Sequence, residues 1–305
     1  MELLEAIVLS VLAASTPLLI AATGELVTER SGVLNLGVEG MMIVGAACGF
    51  GGALYTGSIT IGALCGIVAG TLLSLIFALM TLGLAVNQVA TGLALTILGI
   101  GLSGLIGAGF VGERITPAPH LRIPGLTDLP LLGRILFGED AFVYVSLALI
   151  VGVWWFLYRT RAGLVLRACG DNHLSAHALG YPVLRIRLLA VLFGGACAGL
   201  AGAYLPLAYT PFFIPGMTAG RGWIALALVV FASWRPGRLV VGAYLFGTVT
   251  ILQLHAQGAG IGVPSQFMSA LPYLATVIVL VLLSRARSGG STAPAALGTV
   301  FVPDR

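Results

Sequence analysis

Long apolar runs dominate the chain. Residues 6–22, 59–82, 91–111, 141–158, 188–208, 239–254 and 268–284 contain no charged side chain. Most of these runs reach the ~20 residues that a helix needs to cross a bilayer core. The pattern predicts an all-α, polytopic bundle of about eight to ten transmembrane helices. It forms a single domain over 1–287, followed by a flexible cytoplasmic tail over 288–305. Glycines at four-residue spacing, Gly62, Gly66 and Gly70, then Gly195 and Gly199, predict helices that approach backbone to backbone.

One stretch breaks the pattern. Residues 24–57 mix Glu25, Thr28, Glu29, Arg30, Ser31, Asn35 and Glu39 with many glycines and then run apolar for only about a dozen positions, short of a full span. Irregular backbone at membrane depth is tolerated only where protein or a wet cavity surrounds it. A broken or re-entrant segment near the N-terminus is expected, and such segments often build a solute path.

Arginine placement sets the orientation, because cytoplasmic loops are enriched in basic residues. The segment 159–187 holds Arg159, Arg161, Arg167, Arg185 and Arg187 against Asp171, and is placed in the cytoplasm. Alternation then puts 209–220 and 256–266 outside, with the turn Trp234-Arg235-Pro236-Gly237-Arg238 and the Arg285/Arg287 tail inside. The loop 112–140 falls outside as a small cap.

Composition narrows the chemistry. Of 305 residues 58% are hydrophobic and 9% charged, against about 25% charged in a soluble domain. All fifteen basic residues are arginine, so a phosphate loop ending in Gly-Lys-Ser/Thr is excluded and nucleotide hydrolysis must reside on another chain. The net charge of +4 follows the loops and does not indicate nucleic-acid binding. Cys48, Cys65, Cys169 and Cys197 are widely spaced and read as buried free thiols. The acidic residues before the first run predict a retained helix, not a cleaved leader.

Several residues are candidates for function. In Arg167-Ala168-Cys169-Gly170-Asp171-Asn172-His173-Leu174-Ser175-Ala176-His177-Ala178-Leu179-Gly180-Tyr181-Pro182, Asp171 or Asn172 is a helix cap and Gly180 with Pro182 a stop. About two turns held outside the membrane form a docking knob; the alternative is an incidental helix in a basic loop. His173 and His177 share an i, i+4 face, but no third ligand is evident, so no metal site is expected. Glu39 is an intramembrane acid facing either a solute cavity or a structural partner such as Arg30 or a helix end. Asn35, Asn87, Gln88 and Thr91 line the path in one reading and glue helices together in the other. Arg221, beside Gly220 and Gly222, either meets an acidic external protein at the outer end of a span or anchors the interface with Trp223.

Three ordered motifs then carry a resemblance. Glu29-Arg30-Ser31-Gly32-Val33-Leu34-Asn35-Leu36-Gly37-Val38-Glu39-Gly40-Met41-Met42, the loop from Arg167 to Gly180, and Gly216-Met217-Thr218-Ala219-Gly220-Arg221-Gly222-Trp223-Ile224-Ala225-Leu226-Ala227 resemble signatures of ABC-importer permeases of the branched-chain amino acid, sugar and nucleoside group. The last run is closest to the nucleoside branch. The resemblance implies a multi-pass permease of the bacterial inner membrane working by alternating access. Its implied partners are a second related permease, ABC ATPase subunits that use the ATP, and an external solute-binding lipoprotein. This chain is expected to need no cofactor. Gly170, Asp171, Asn172, His173, Ala176, His177 and Gly180 map onto the family's coupling helix. Nucleosides are the expected solutes, with simple sugars or branched-chain amino acids as the alternative and a self-sufficient secondary transporter behind both.

Overall fold

A computed structural model describes residues 2–121, 137–258 and 293–302, with isolated helical positions at Phe267, Ala270, Leu274, Val277, Ile278 and Val281. The expected span over 268–284 and the Arg285/Arg287 tail otherwise lie outside the described residues. The helices are α1 (Glu2–Arg30), α2 (Val38–Thr56), α3 (Ile59–Ala78), α4 (Gln88–Gly107), α5 (Ala141–Arg159), α6 (Arg161–Asp171), α7 (His173–Ala178), α8 (Val183–Tyr204), α9 (Arg221–Phe231) and α10 (Pro236–Gly258). A π-helical turn extends α3 to Gly83 and another extends α8 to Tyr209. Seven of the described helices are long and apolar enough to cross a membrane.

The centre of the bundle is glycine packing. A Cβ on Gly70 would strike the Gly195 carbonyl, and one on Gly199 would strike the Gly66 carbonyl. The two predicted glycine ridges therefore face one another across α3 and α8. Because the obstacle is backbone on both sides, no rotamer relieves it. Gly199→Leu is expected to cost about 3 kcal/mol or more, read as loss of monodisperse protein and a lowered unfolding midpoint in detergent.

The stretch 24–57 differs from expectation in one respect. α1 runs unbroken to Arg30, and α2 is a full 19-residue helix, buried along most of its length. The break is confined to 31–37. Its polar neighbours do not shorten α2, because protein partners absorb their hydrogen-bonding groups, as described below.

A second departure is α9. Its 11 residues rise only ~16 Å, about half a hydrocarbon core. Its far end is pinned beside the end of α1. Trp234 Nε1 donates to Glu29, and Arg30 donates to the Trp234 carbonyl from Nε and Nη2 at 3.1 and 2.8 Å. Ser233 and Trp234 take left-handed φ of 55° and 54°, costing roughly 1–2 kcal/mol each, and these anchors hold the turn in that shape. The segment 210–220 therefore leads from the end of the α8 extension into a helix too short to cross a bilayer core alone.

Candidate functional site

The arginine-rich end of the molecule is assembled around Arg187. This side chain is fully buried. Its Nε donates to the Ser31 carbonyl at 3.1 Å, Nη1 to the Thr299 carbonyl at 3.2 Å, and Nη2 lies 3.3 Å from His173 Nδ1. Sequence reading used Arg187 only to orient the chain. A cation at the first turn of an otherwise apolar helix was the available signal, since such a charge must find acceptors.

The predicted short capped helix is present as α7. Asn172 caps it, with Oδ1 accepting from Ser175 N–H at 2.9 Å; Asp171 is the last residue of α6. Gly180, at φ +88°, closes it by donating to the His177 carbonyl at 2.8 Å. Ala176 is buried, while Leu174 and Leu179 are 63% and 77% exposed. Gly170 packs so closely on the end of α1 that a Cβ there would strike the Arg30 carbonyl. His173 and His177 both turn their rings onto Phe301, with centroids at 5.1 and 5.4 Å. Among the described residues no group of three potential metal ligands occurs. Burial, then the neighbouring Arg187, pushes the His173 pKa down, which disfavours the charged ring beside that guanidinium.

The candidate path residues are mostly occupied with backbone. Asn35 is fully buried; its N–H donates to Glu25 Oε1 at 3.2 Å and its Oδ1 accepts from Gly37 N–H at 2.9 Å. Gln88 Oε1 accepts from Leu34 N–H at 2.8 Å, and Thr91 donates to the Asn87 carbonyl at 2.8 Å. Asn87 caps α4 through Ala90 N–H at 3.0 Å and is the exposed member of the set. Glu25, Asn35 and Gln88 thus satisfy amides in the break at 31–37, where helical bonds are missing, while Asn87 and Thr91 bond within the start of α4.

Glu39 joins the two irregular segments. Its Oε1 accepts from Thr218 Oγ1 at 2.6 Å and Gly220 N–H at 2.9 Å, and its Oε2 accepts from Gly222 N–H at 2.6 Å. The carboxylate thus caps α9, where the helix dipole favours negative charge. Arg30, one of the two structural partners considered for Glu39, donates instead to the Trp234 carbonyl. A Cβ on Gly222 would collide with the Glu39 backbone, so only glycine allows this approach. Arg221 opens α9. It donates to the Met217 and Thr218 carbonyls at 2.9 and 3.3 Å and lies over the Tyr209 ring.

On the opposite face a cavity of about 370 Å³ is lined by His120, Glu139, Asp140, Tyr204, Tyr209 and His255, among others. Asp140 caps α5 through Phe142 and Val143 N–H. Among the described residues the buried Glu139 Oε1 has no hydrogen-bond partner. Burial, then the neighbouring Asp140, raises the Glu139 pKa from 4.5 to about 7. An acid with a raised native pKa holds its proton longer folded than unfolded, so stability present at pH 4 is lost as pH climbs to about 7. Glu139→Gln should therefore raise the unfolding midpoint at pH 8 but not at pH 4, with a ceiling of about 3 kcal/mol. Thermal melts at the two pH values check this.

Comparison with known proteins agrees with this architecture. Residues 7–284 match the family described as branched-chain amino acid transport system, permease component. A putative glucose ABC transporter permease protein of Haloferax volcanii is 46% identical, over 88% of each chain. A guanosine ABC transporter permease protein of Bacillus subtilis is 30% identical over 99% of this chain and 98% of the relative. A nucleoside ABC transporter permease protein of Lactococcus lactis is 31% identical with the same coverage.

Proposed function

The chain belongs to the family of permease components of branched-chain amino acid transport systems, and on that premise we propose that it is the conduit through which an ATP-driven importer passes a nucleoside or related compound. A separate ATPase subunit grips α7 on the cytoplasmic side of the cell membrane, a second permease completes the pathway, and an external binding protein delivers solute. The observation that carries this reading is α7 itself: six residues outside the bundle, one face buried through Ala176 and the other offering Leu174 and Leu179. Closure of the ATPases on ATP moves α7. The motion reaches α1 and α8 through Gly170 and Arg187, which touch the ends of both helices.

Nucleosides are supported by the run Gly216–Ala227 and by the two relatives named for them. A second reading, a simple sugar, is favoured by the relative at 46% identity. Both solutes are neutral and carry a hydroxylated ring. Uptake of labelled guanosine and labelled glucose by proteoliposomes containing the whole complex, with ATP on the ATPase side, separates them. Guanosine uptake that excess glucose leaves unchanged supports the first reading; the converse establishes the second. ATP-independent uptake by the purified chain alone overturns both.

A further inference from the structure

Residues 293–302 are folded back onto the arginine-rich face, although they fall in the stretch expected to be a flexible tail. The Ala296 N–H donates to the Gly170 carbonyl at 2.9 Å, and the Gly298 N–H to the Gly32 carbonyl at 3.1 Å. The Thr299 carbonyl accepts from Arg187. Three backbones are thus stacked: the turn after α1, the end of α6, and this segment. A Cβ on Gly32 would collide with Arg187 and crowd both Gly170 and the Ala296 carbonyl.

Phe301 completes the arrangement. It is 5% exposed and belongs to a small apolar cluster separate from the bundle core, with Cys169, Ala176 and Val183. That cluster takes one residue each from α6, α7, α8 and the folded-back segment. Phe301 is its largest member and lies between His173 and His177. A six-residue helix has few contacts of its own to resist a pull, so whatever fills this cluster decides whether α7 moves with the bundle or swings independently.

We propose that residues 293–302 are a strap that makes α7 rigid with the ends of α1 and α8, and that Phe301 is the positioning residue that holds it. The inference rests on the coupling role proposed for α7. With the strap seated, displacement of α7 is transmitted through Arg187 and Gly32 to the spans. With it released, the ATPase turns over while α7 swings, and hydrolysis is wasted.

The ratio of solute molecules transported to ATP hydrolysed, in the reconstituted whole complex, tests this. Phe301→Ala should lower that ratio at least tenfold while complex assembly and ATPase turnover persist, and Phe301→Leu should restore most of it. A ratio within twofold of the native value in assembled Phe301→Ala complex overturns the strap. If Phe301→Ala does not assemble, hydrogen exchange in the native complex decides: the Ala296 and Gly298 amides should be protected at least a hundredfold over an unstructured peptide, and exchange at the unstructured rate overturns the proposal. Failure of the underlying reading is distinct, because then disrupting α7 itself with Ala176→Pro would leave transport intact.

Discussion

Replacing Glu39 with alanine is expected to abolish uptake by the assembled importer and to destabilise this chain by on the order of 5 kcal/mol. The carboxylate accepts from one hydroxyl and two backbone amides. Glu39 and Thr218 are both buried, which limits the access of water to replace it. Each buried donor left without an acceptor costs roughly 1–3 kcal/mol, and the loss also removes the charge opposite the α9 dipole. Glu39→Gln should be milder: Oε1 keeps Thr218 and Gly220, but the new amide points donors at the Gly222 N–H. Thermal unfolding in detergent together with uptake kinetics checks the prediction. If Glu39 instead contacts solute, Glu39→Ala would raise the KM for uptake with the unfolding midpoint unchanged, and that pattern would overturn its role as the cap of α9.

The second large effect is expected from Ala176→Pro. The Ala176 N–H donates to the Asn172 carbonyl at 3.1 Å in the only full turn that α7 possesses. Proline removes that donor and clashes with the preceding turn, at ~3 kcal/mol or more, about a hundredfold in the population of the helical form. Ala176 is also buried in the small cluster beneath Phe301, so the ring disturbs packing as well as the backbone. Uptake should fall to background while the chain still inserts and the bundle keeps its unfolding midpoint, because the cluster stands apart from the main core. Normal uptake with this substitution would refute the coupling role of α7.

Much of the site was legible from local chemistry. Asn172, Gly180 and the run between them announce a capped short helix, because cap and stop residues act within a few positions of themselves. The glycine ridges of α3 and α8 were visible too, since their spacing is that of one helix face. Glu39 was identifiable as costly, but its partners were not: Thr218, Gly220 and Gly222 lie some 180 residues away, and nothing local predicts which of several loops descends to meet it. The short length of α9 was hidden for the same reason. A run of apolar residues after a glycine turn reads as a span from its outer end, and only the pinned Trp234 shows that the helix is half as long.

The sequence by itself determined that this protein lives in lipid and that its chain is helical. These follow from composition and from the need of every backbone amide at depth to be bonded within its own helix. Tertiary structure alone decided what the polar residues do. Asn35, Gln88 and Glu39 close the gaps where two helices break, Arg187 ties three separate segments together, and Phe301 returns from far along the chain to pack against α7. A buried polar or aromatic side chain takes whatever partner the folded backbone brings within reach, and that choice is made by contacts between residues distant in sequence.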